Sequence, residues 1–436
     1  MVALEILTIF VFFMMTGIVL SLLSKKLSMS NVLLLIISGL IMGSINESLG
    51  LIELSRSALL TIAILALVLI VFDGSSRFKA KSVEDVSLPA IKLISWLIVV
   101  NLIVLTGIVT FLLYNEFTWI NLLYAAIFSV MIAATDPATI FVMIKNKTNR
   151  VLEFLRLEAI INTPITILIP LLIIDIINDI EETNIEIFST YFSQFLLQVI
   201  VGIGTGVIVG ILFFRAMKKF YSEEVSPLAM ITAALLAYIL SENLDGSGIL
   251  AVAVLGFVFG HTYVKQKNTL RDFNSMVSSS LEILVFLLLG FIISIQVSIT
   301  FIFQSLLIFI FLGLCRWIAL KLALRKHDFS DKEKMFMTLS MPKGLATAVL
   351  VFSLSILEIP SLDIIINLVV MIMIYSLILS TGLNYFSQYF IRSKLIETKP
   401  NPNNNNSNNT TTVSKTNDKK TKSNTKKTKP ANKKRK

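Results

Sequence analysis

Apolar residues run along this chain in blocks of about twenty, each closed by a short polar break. The first block, "EILTIFVFFMMTGIVLSLLSKK", carries its basic residues after the apolar run. A cleavable signal has them before it, so this block is expected as the first membrane span. A helix needs about 20 apolar residues to cross a bilayer. By that measure the blocks predict thirteen spans, near residues 5–23, 31–48, 57–72, 88–113, 119–144, 151–175, 191–214, 227–242, 247–262, 279–298, 301–324, 333–357 and 363–390. The expected fold class is therefore an all-α polytopic membrane protein.

The breaks sort by charge. Alternate ones hold Lys25 and Lys26; Arg77, Lys79 and Lys81; Lys145, Lys147 and Arg150; Arg215, Lys218 and Lys219; Lys265, Lys267 and Arg271; and Arg325, Lys326, Lys332 and Lys334. The breaks between them hold Arg56 and otherwise acids, among them Asp179, Glu181, Glu182, Glu242, Asp245, Glu358 and Asp363. Short basic loops stay on the cytoplasmic side. Thirteen spans then place the N-terminus outside and the C-terminal tail inside, in the cell membrane. A miscounted span would break this alternation.

Composition supports the reading: 55% of residues are hydrophobic and 15% charged, where a soluble domain carries about a quarter charged. One cysteine, Cys315, and two histidines, His261 and His327, exclude a disulfide framework and argue against a zinc enzyme. From Pro400 onward eleven Lys/Arg stand against a single acid, Asp418, which accounts for the net charge of +10. The segment 393–436 is expected as a disordered basic cytoplasmic tail able to touch anionic lipid. No folded basic domain accompanies it, so nucleic acid is not an expected partner. An aspartyl intramembrane protease would need a second mid-span aspartate, and the remaining candidate, Asp73, ends a span. A serine type would need a deep histidine. Neither an enzyme nor a cofactor is expected.

Ionisable groups inside spans are costly and mark function by default. They are Asp136, Glu158, Arg316, Lys343 and, at a span end, Asp73; Asn162 accompanies Glu158. Two segments share a design: "ATDPAT" at 134–139 and "MPKG" at 341–344 each set a charge beside a mid-span proline. Proline removes a donor and frees carbonyls, which is tolerated at membrane depth only where protein or water satisfies them. Two interrupted helices in corresponding places point to a transporter of inverted repeats, with its site where the breaks meet. Spans one to six and eight to thirteen form the halves, and the seventh links them. Asp136 is expected to offset a positive half-helix end and Lys343 a negative one. Glu158 and Asn162, four apart, share one helix face. A buried glutamate needs a partner, and Arg316 is the candidate.

These residues resemble the monovalent cation:proton antiporter family of the NhaP and sodium/proton exchanger type. The anchors are "ATDPAT", "LEAIINTP" at 157–164, "GSGILAVAVLGFVFG" at 246–260, Arg316, and "MPKGLATAV" at 341–349. The resemblance implies an NhaA-like antiporter fold over residues 1–392. It implies core helices at about 88–175 and 301–390, and dimerisation and linker helices at about 1–72 and 191–262. It further implies a homodimer and alternating access, in which protons and a monovalent cation, Na+ or K+, compete for one buried acidic site. On this pattern Thr135 and Asp136 lie where the broken helices cross, Glu158 pairs with Arg316, and Asn162 steadies the site.

The chain departs from the pattern at the carrier. The family reads Glu-Ser-x-x-Asn-Asp-Pro, whereas this chain reads Glu158-Ala159-Ile160-Ile161-Asn162-Thr163-Pro164. The family's Gly-Pro-Arg-Gly is Met341-Pro342-Lys343-Gly344. A threonine offers an oxygen to a cation but exchanges no proton near neutral pH. Three outcomes stay open. Asp136, or Glu158 if Arg316 releases it, carries the proton, with Asp136 favoured. Alternatively an ion binds through the Thr135, Asn162 and Thr163 oxygens without proton coupling. Or the fold serves as a non-transporting sensor or scaffold.

Overall fold

An apolar block that closes its own backbone hydrogen bonds as a helix leaves no donor or acceptor facing lipid. In the computed structural model the described residues are those of 2–390 other than 28, 51, 53–54, 78–86, 137–149, 179–185, 263–264, 294–297, 326, 328 and 356–358. The expected tail at 393–436 lies outside them, as does the chain just beyond Asp136. The helices are α1 (Val2–Leu27), α2 (Asn31–Leu49), α3 (Arg56–Ser76) and α4 (Ser87–Val100). α4 runs on through a wide turn at Asn101–Leu105, α5 (Thr106–Val109) and a second wide turn at Thr110–Tyr114. There follow α6 (Trp119–Met131), α7 (Arg150–Asn178), α8 (Glu186–Lys219), α9 (Val225–Glu242), α10 (Gly248–His261) and α11 (Lys267–Ile292). The last described helices are α12 (Ile299–Ala323), α13 (Asp331–Leu339), α14 (Leu345–Ser355) and α15 (Pro360–Phe390). Among the described residues ten helices are long and apolar enough to cross a membrane. The shorter apolar helices Trp119–Met131, Gly248–His261 and Ala346–Ser355 complete a set of thirteen, the expected number.

The tenth span is displaced from its expected place. The apolar run predicts 279–298, but α11 starts at Lys267 and ends at Ile292. Its polar first half stays helical because neighbouring helices use its polar groups. Lys267 Nζ donates to the Gly260 and Thr262 carbonyls at 2.6 and 3.0 Å, at the end of α10. Arg271 donates to the Ser76 carbonyl at the end of α3. Both place a cation at a helix C-terminus, where the dipole favours it. Asn274 and Ser278 each donate to the Leu69 carbonyl of α3, at 3.4 and 3.0 Å. Two basic residues expected in an inner loop thus belong to a helix.

Lipid tails are as apolar as leucine, so helix pairing in a membrane relies on close approach at small residues. α8 carries Gly202, Gly206 and Gly210 at four-residue spacing, facing α10. A Cβ at Gly206 would press on the Ala251 carbonyl and lie 2.9 Å from Val254 Cβ. α11 packs on α2 in the same way: a Cβ at Gly39 would sit 2.8 Å from the Gly290 Cα. α11 also packs on α3 and on α14. Gly206→Leu is expected to lower the thermal midpoint in detergent by an overpacking cost of about 1–3 kcal/mol. Gly204, with nothing within 4 Å of its Cβ position, is the control. Gly204→Ala is expected to hold or gain stability, since alanine is the better helix former. Equal melting of both variants would mean that α8 and α10 do not touch at Gly206.

Candidate functional site

The site is built from the ends of two interrupted helices. α6 stops at Met131 and α13 at Leu339, each inside a block long enough to span. A stopped helix leaves its last four carbonyls without intrahelical partners, and at membrane depth each needs a donor. At α6, Phe128 accepts from the Ile132 amide, Val130 from Ala133 and Met131 from Ala134. Ser129 accepts from Asn101 Nδ2 at 3.1 Å, from the first wide turn beyond α4. The two carbonyls past the end are met by side chains: Asn162 Nδ2 donates to Ala133 at 2.6 Å, and Lys343 Nζ to Ala134 at 2.9 Å.

The end of α13 mirrors this. Phe336 and Leu339 accept from the Ser340 and Met341 amides. Met337 accepts from Arg316 Nε at 3.0 Å, and Ser340 from an Arg316 terminal nitrogen at 3.4 Å. The two breaks then meet directly: the Asp136 amide donates to the Pro342 carbonyl at 2.9 Å. Lys343 reaches from the second break onto the C-terminal end of the helix before the first, the negative half-helix end it was expected to offset. Its own amide donates to Ser376 Oγ at 3.1 Å.

Arg316 and Glu158 form a two-pronged pair, both contacts at 2.7 Å, with Glu158 fully buried. Parallel N–H to oxygen contacts of this kind are the strongest form a carboxylate–guanidinium pair takes. The pair bridges α7 and α12, and Arg316 also ties the end of α13. Its geometry is architectural: it fixes three helices around the breaks.

A cavity of about 250 Å³ lies beside the crossing. Thr135, Asp136, Thr163, Gly344 and Thr347 line it on the side of the breaks, and Ser278 and Glu282 from α11. It extends to Asp73, Ser75 and Arg77 at the end of α3, so it runs from the breaks to one helix terminus. That volume holds several waters. Asp136 is only 6% exposed, and its side chain fills the space a Cβ would take on Gly344, at the start of α14. A carboxylate there faces the positive end of a half-helix. Asp73 is paired with Arg77 at 3.1 Å.

Of the residues singled out from sequence, Thr135, Asp136 and Thr163 share the cavity wall. Glu158, Asn162, Arg316 and Lys343 are not part of that wall and hold the broken backbone around it. Thr163 Oγ1 donates to the Ala159 carbonyl at 2.7 Å, leaving its lone pairs for a cation. The sequence reading passed over Glu282 and Thr347. Glu282 was visible as an acid in an apolar run, but at the edge of the expected span. Thr347 is a hydroxyl in a helix and carried no signal.

The fold and this interior define a class: helical membrane proteins in which two helices stop short and their ends meet beside a small water-sized cavity. A family model for the transmembrane part of the sodium/hydrogen exchanger matches residues 6–384, and the chain belongs to that family. It is 23% identical over 384 residues to the K(+)/H(+) antiporter NhaP of Alkalimonas amylolytica, covering 86% of this chain and 64% of that one. It is 28% identical over 250 residues to Na(+)/H(+) antiporter 1 of Methanocaldococcus jannaschii, covering 53% of this chain and 56% of that one. It thus spans less than two thirds of these curated relatives. The structure of the sodium proton antiporter MjNhaP1 from M. jannaschii at pH 8 superposes with a TM-score of 0.73 at 20% identity. That match covers 87% of this chain and 97% of the other.

Proposed function

We propose that this protein exchanges protons for a monovalent cation, Na+ or K+, by alternating access across the cell membrane. The observation that carries the reading is Asp136: a carboxylate buried where the two breaks meet, yet on the wall of a water-sized cavity. A carboxylate so placed binds a proton or a cation, and each neutralises what the other would bind, so the two compete. Asp136 is the carrier in this scheme, and Thr135 and Thr163 supply neutral oxygens. The Glu158–Arg316 pair and Lys343 are scaffold, and Asn162 steadies the break.

The cavity reaches the end of α3, where the basic loop after Arg77 marks the cytoplasmic side. In this reading the cavity belongs to an inward-facing state, with the N-terminus outside and the tail inside. Core helices at about 88–175 and 301–390 move against helices at about 1–72 and 191–262 that pair two copies in a homodimer. Purified protein in sealed liposomes, with an imposed pH gradient read by a fluorescent dye, tests this. Added Na+ or K+ is expected to collapse the gradient, with Li+ as a third arm. A gradient untouched by all three cations, in vesicles that contain folded protein, would overturn antiport.

A further inference from the structure

The antiport reading leaves one acid short, because Thr163 stands where the family has its second carboxylate. The cavity wall holds another. Glu282 lies well inside α11, not at its end, and lines the same cavity as the breaks. Asp136 and Asp73 line the same cavity. Asp73 is occupied by Arg77, whereas no hydrogen bond or ion pair to the Glu282 carboxylate is found among the described residues. α11 packs on α2 and α3 and also on α14, so Glu282 faces the broken segments from a different set of helices.

Two further groups point to a ligand. Among the described residues Thr135 Oγ1 and Thr347 Oγ1 have no hydrogen-bond partner, although the residues are only 2% and 1% exposed. Both line the same cavity. A buried hydroxyl left without a partner loses about 1–3 kcal/mol, a loss removed when an ion or its hydration water binds there. Carboxylate and hydroxyl oxygens are hard ligands suited to alkali cations rather than to softer metals. Among the described residues no three His, Cys, Asp or Glu side chains converge as a multivalent-metal cage requires.

We infer that Glu282 is the second carboxylate of the cation site, facing Asp136 across the cavity, with the Thr135 and Thr347 hydroxyls as neutral ligands to a monovalent cation. This deepens the antiport reading and rests on it for the identity of the cation. The acid absent at position 163 is supplied from α11. When the core helices move relative to α11, one ligand leaves the others, and the site weakens as it changes sides. Glu282 thereby couples release of the cation to the conformational step.

The test reads binding without transport. A bound ligand stabilises the folded state in proportion to the logarithm of its occupancy. The thermal midpoint of the full chain in detergent is followed against NaCl and KCl, with choline chloride at matched ionic strength and MgCl2 as further arms. Na+ or K+ is expected to raise the midpoint of the wild-type protein. Glu282→Gln is expected to require about tenfold more cation for the same rise, a change of about 1.4 kcal/mol in binding. An unchanged concentration dependence, no response of the wild type to either cation, or a response to Mg2+ at lower concentration than to Na+ or K+ would each overturn the assignment. If Glu282→Gln does not fold, Thr347→Val carries the test. It removes one hydroxyl at constant shape; a several-fold weaker response supports the site and an unchanged one overturns it. Because no flux is measured, a protein that binds but does not exchange sinks the antiport reading alone.

Discussion

Asp136→Asn is expected to reduce cation-driven proton movement to the level of protein-free liposomes, while the protein still folds and elutes as the wild type does. Asparagine keeps the shape and the hydrogen-bonding reach of aspartate but neither takes up nor releases a proton near neutral pH. The contact with the second segment is made by the backbone: the Asp136 amide donates to the Pro342 carbonyl. The amide survives the substitution, so the crossing survives it. Gly344→Ala tests the same residue from the other side. A Cβ there would lie 2.7 Å from Asp136 Oδ1 and closer still to its carbon atoms, so the carboxylate must be displaced. Transport is expected to fall sharply in this variant, though no charge is altered. Exchange at the wild-type rate in Asp136→Asn would remove Asp136 from the carrier's role and turn attention to Glu282.

Breaking the Arg316–Glu158 pair is expected to give the largest loss of stability. Glu158→Gln leaves a guanidinium buried beside a neutral amide, and removal of one partner from a buried pair costs about 3–5 kcal/mol. Arg316→Met leaves the opposite charge uncompensated and also strips donors from the Met337 and Ser340 carbonyls. Each single variant is expected to lose folded yield and to melt well below the wild type. The double variant is expected to be more stable than the sum of the single losses implies, because neither charge is then stranded. Thermal inactivation half-lives are the suitable measure, since unfolding of large chains is often irreversible. Additive losses in the double variant would show that the two groups do not act as a pair, and the architectural role given to them would fall.

Much of this molecule is legible before any coordinates. Charges inside apolar runs are anomalies, and Asp136, Glu158, Arg316 and Lys343 stand out on that ground alone. Proline beside two of them marks the breaks, and alternating loop charge constrains the span count. Glu282 escapes the same logic because the polar run before it, "KNTLRDFNSM", reads as a loop and pushes the acid to the edge of a span. The polar groups in that run are used by α3 and α10, which no local pattern reveals. Thr347 escapes because a hydroxyl in a membrane helix normally bonds its own helix, as Thr166 does to the Asn162 carbonyl at 3.0 Å. That Thr347 has no such bond is a property of the packed structure.

The class of fold, the thirteen apolar spans and the two proline-marked breaks are all written into local stretches of chain, because burial of apolar side chains and the cost of bare backbone in lipid act on such stretches. Only the tertiary structure decided which charges serve the backbone and which line the cavity. Lys343 and Asp136 each sit beside a mid-span proline, yet one holds the Ala134 carbonyl and the other lines the cavity that Glu282 also lines. That division follows from where distant helices cross, and contact between segments so far apart in the chain leaves no periodic trace along it.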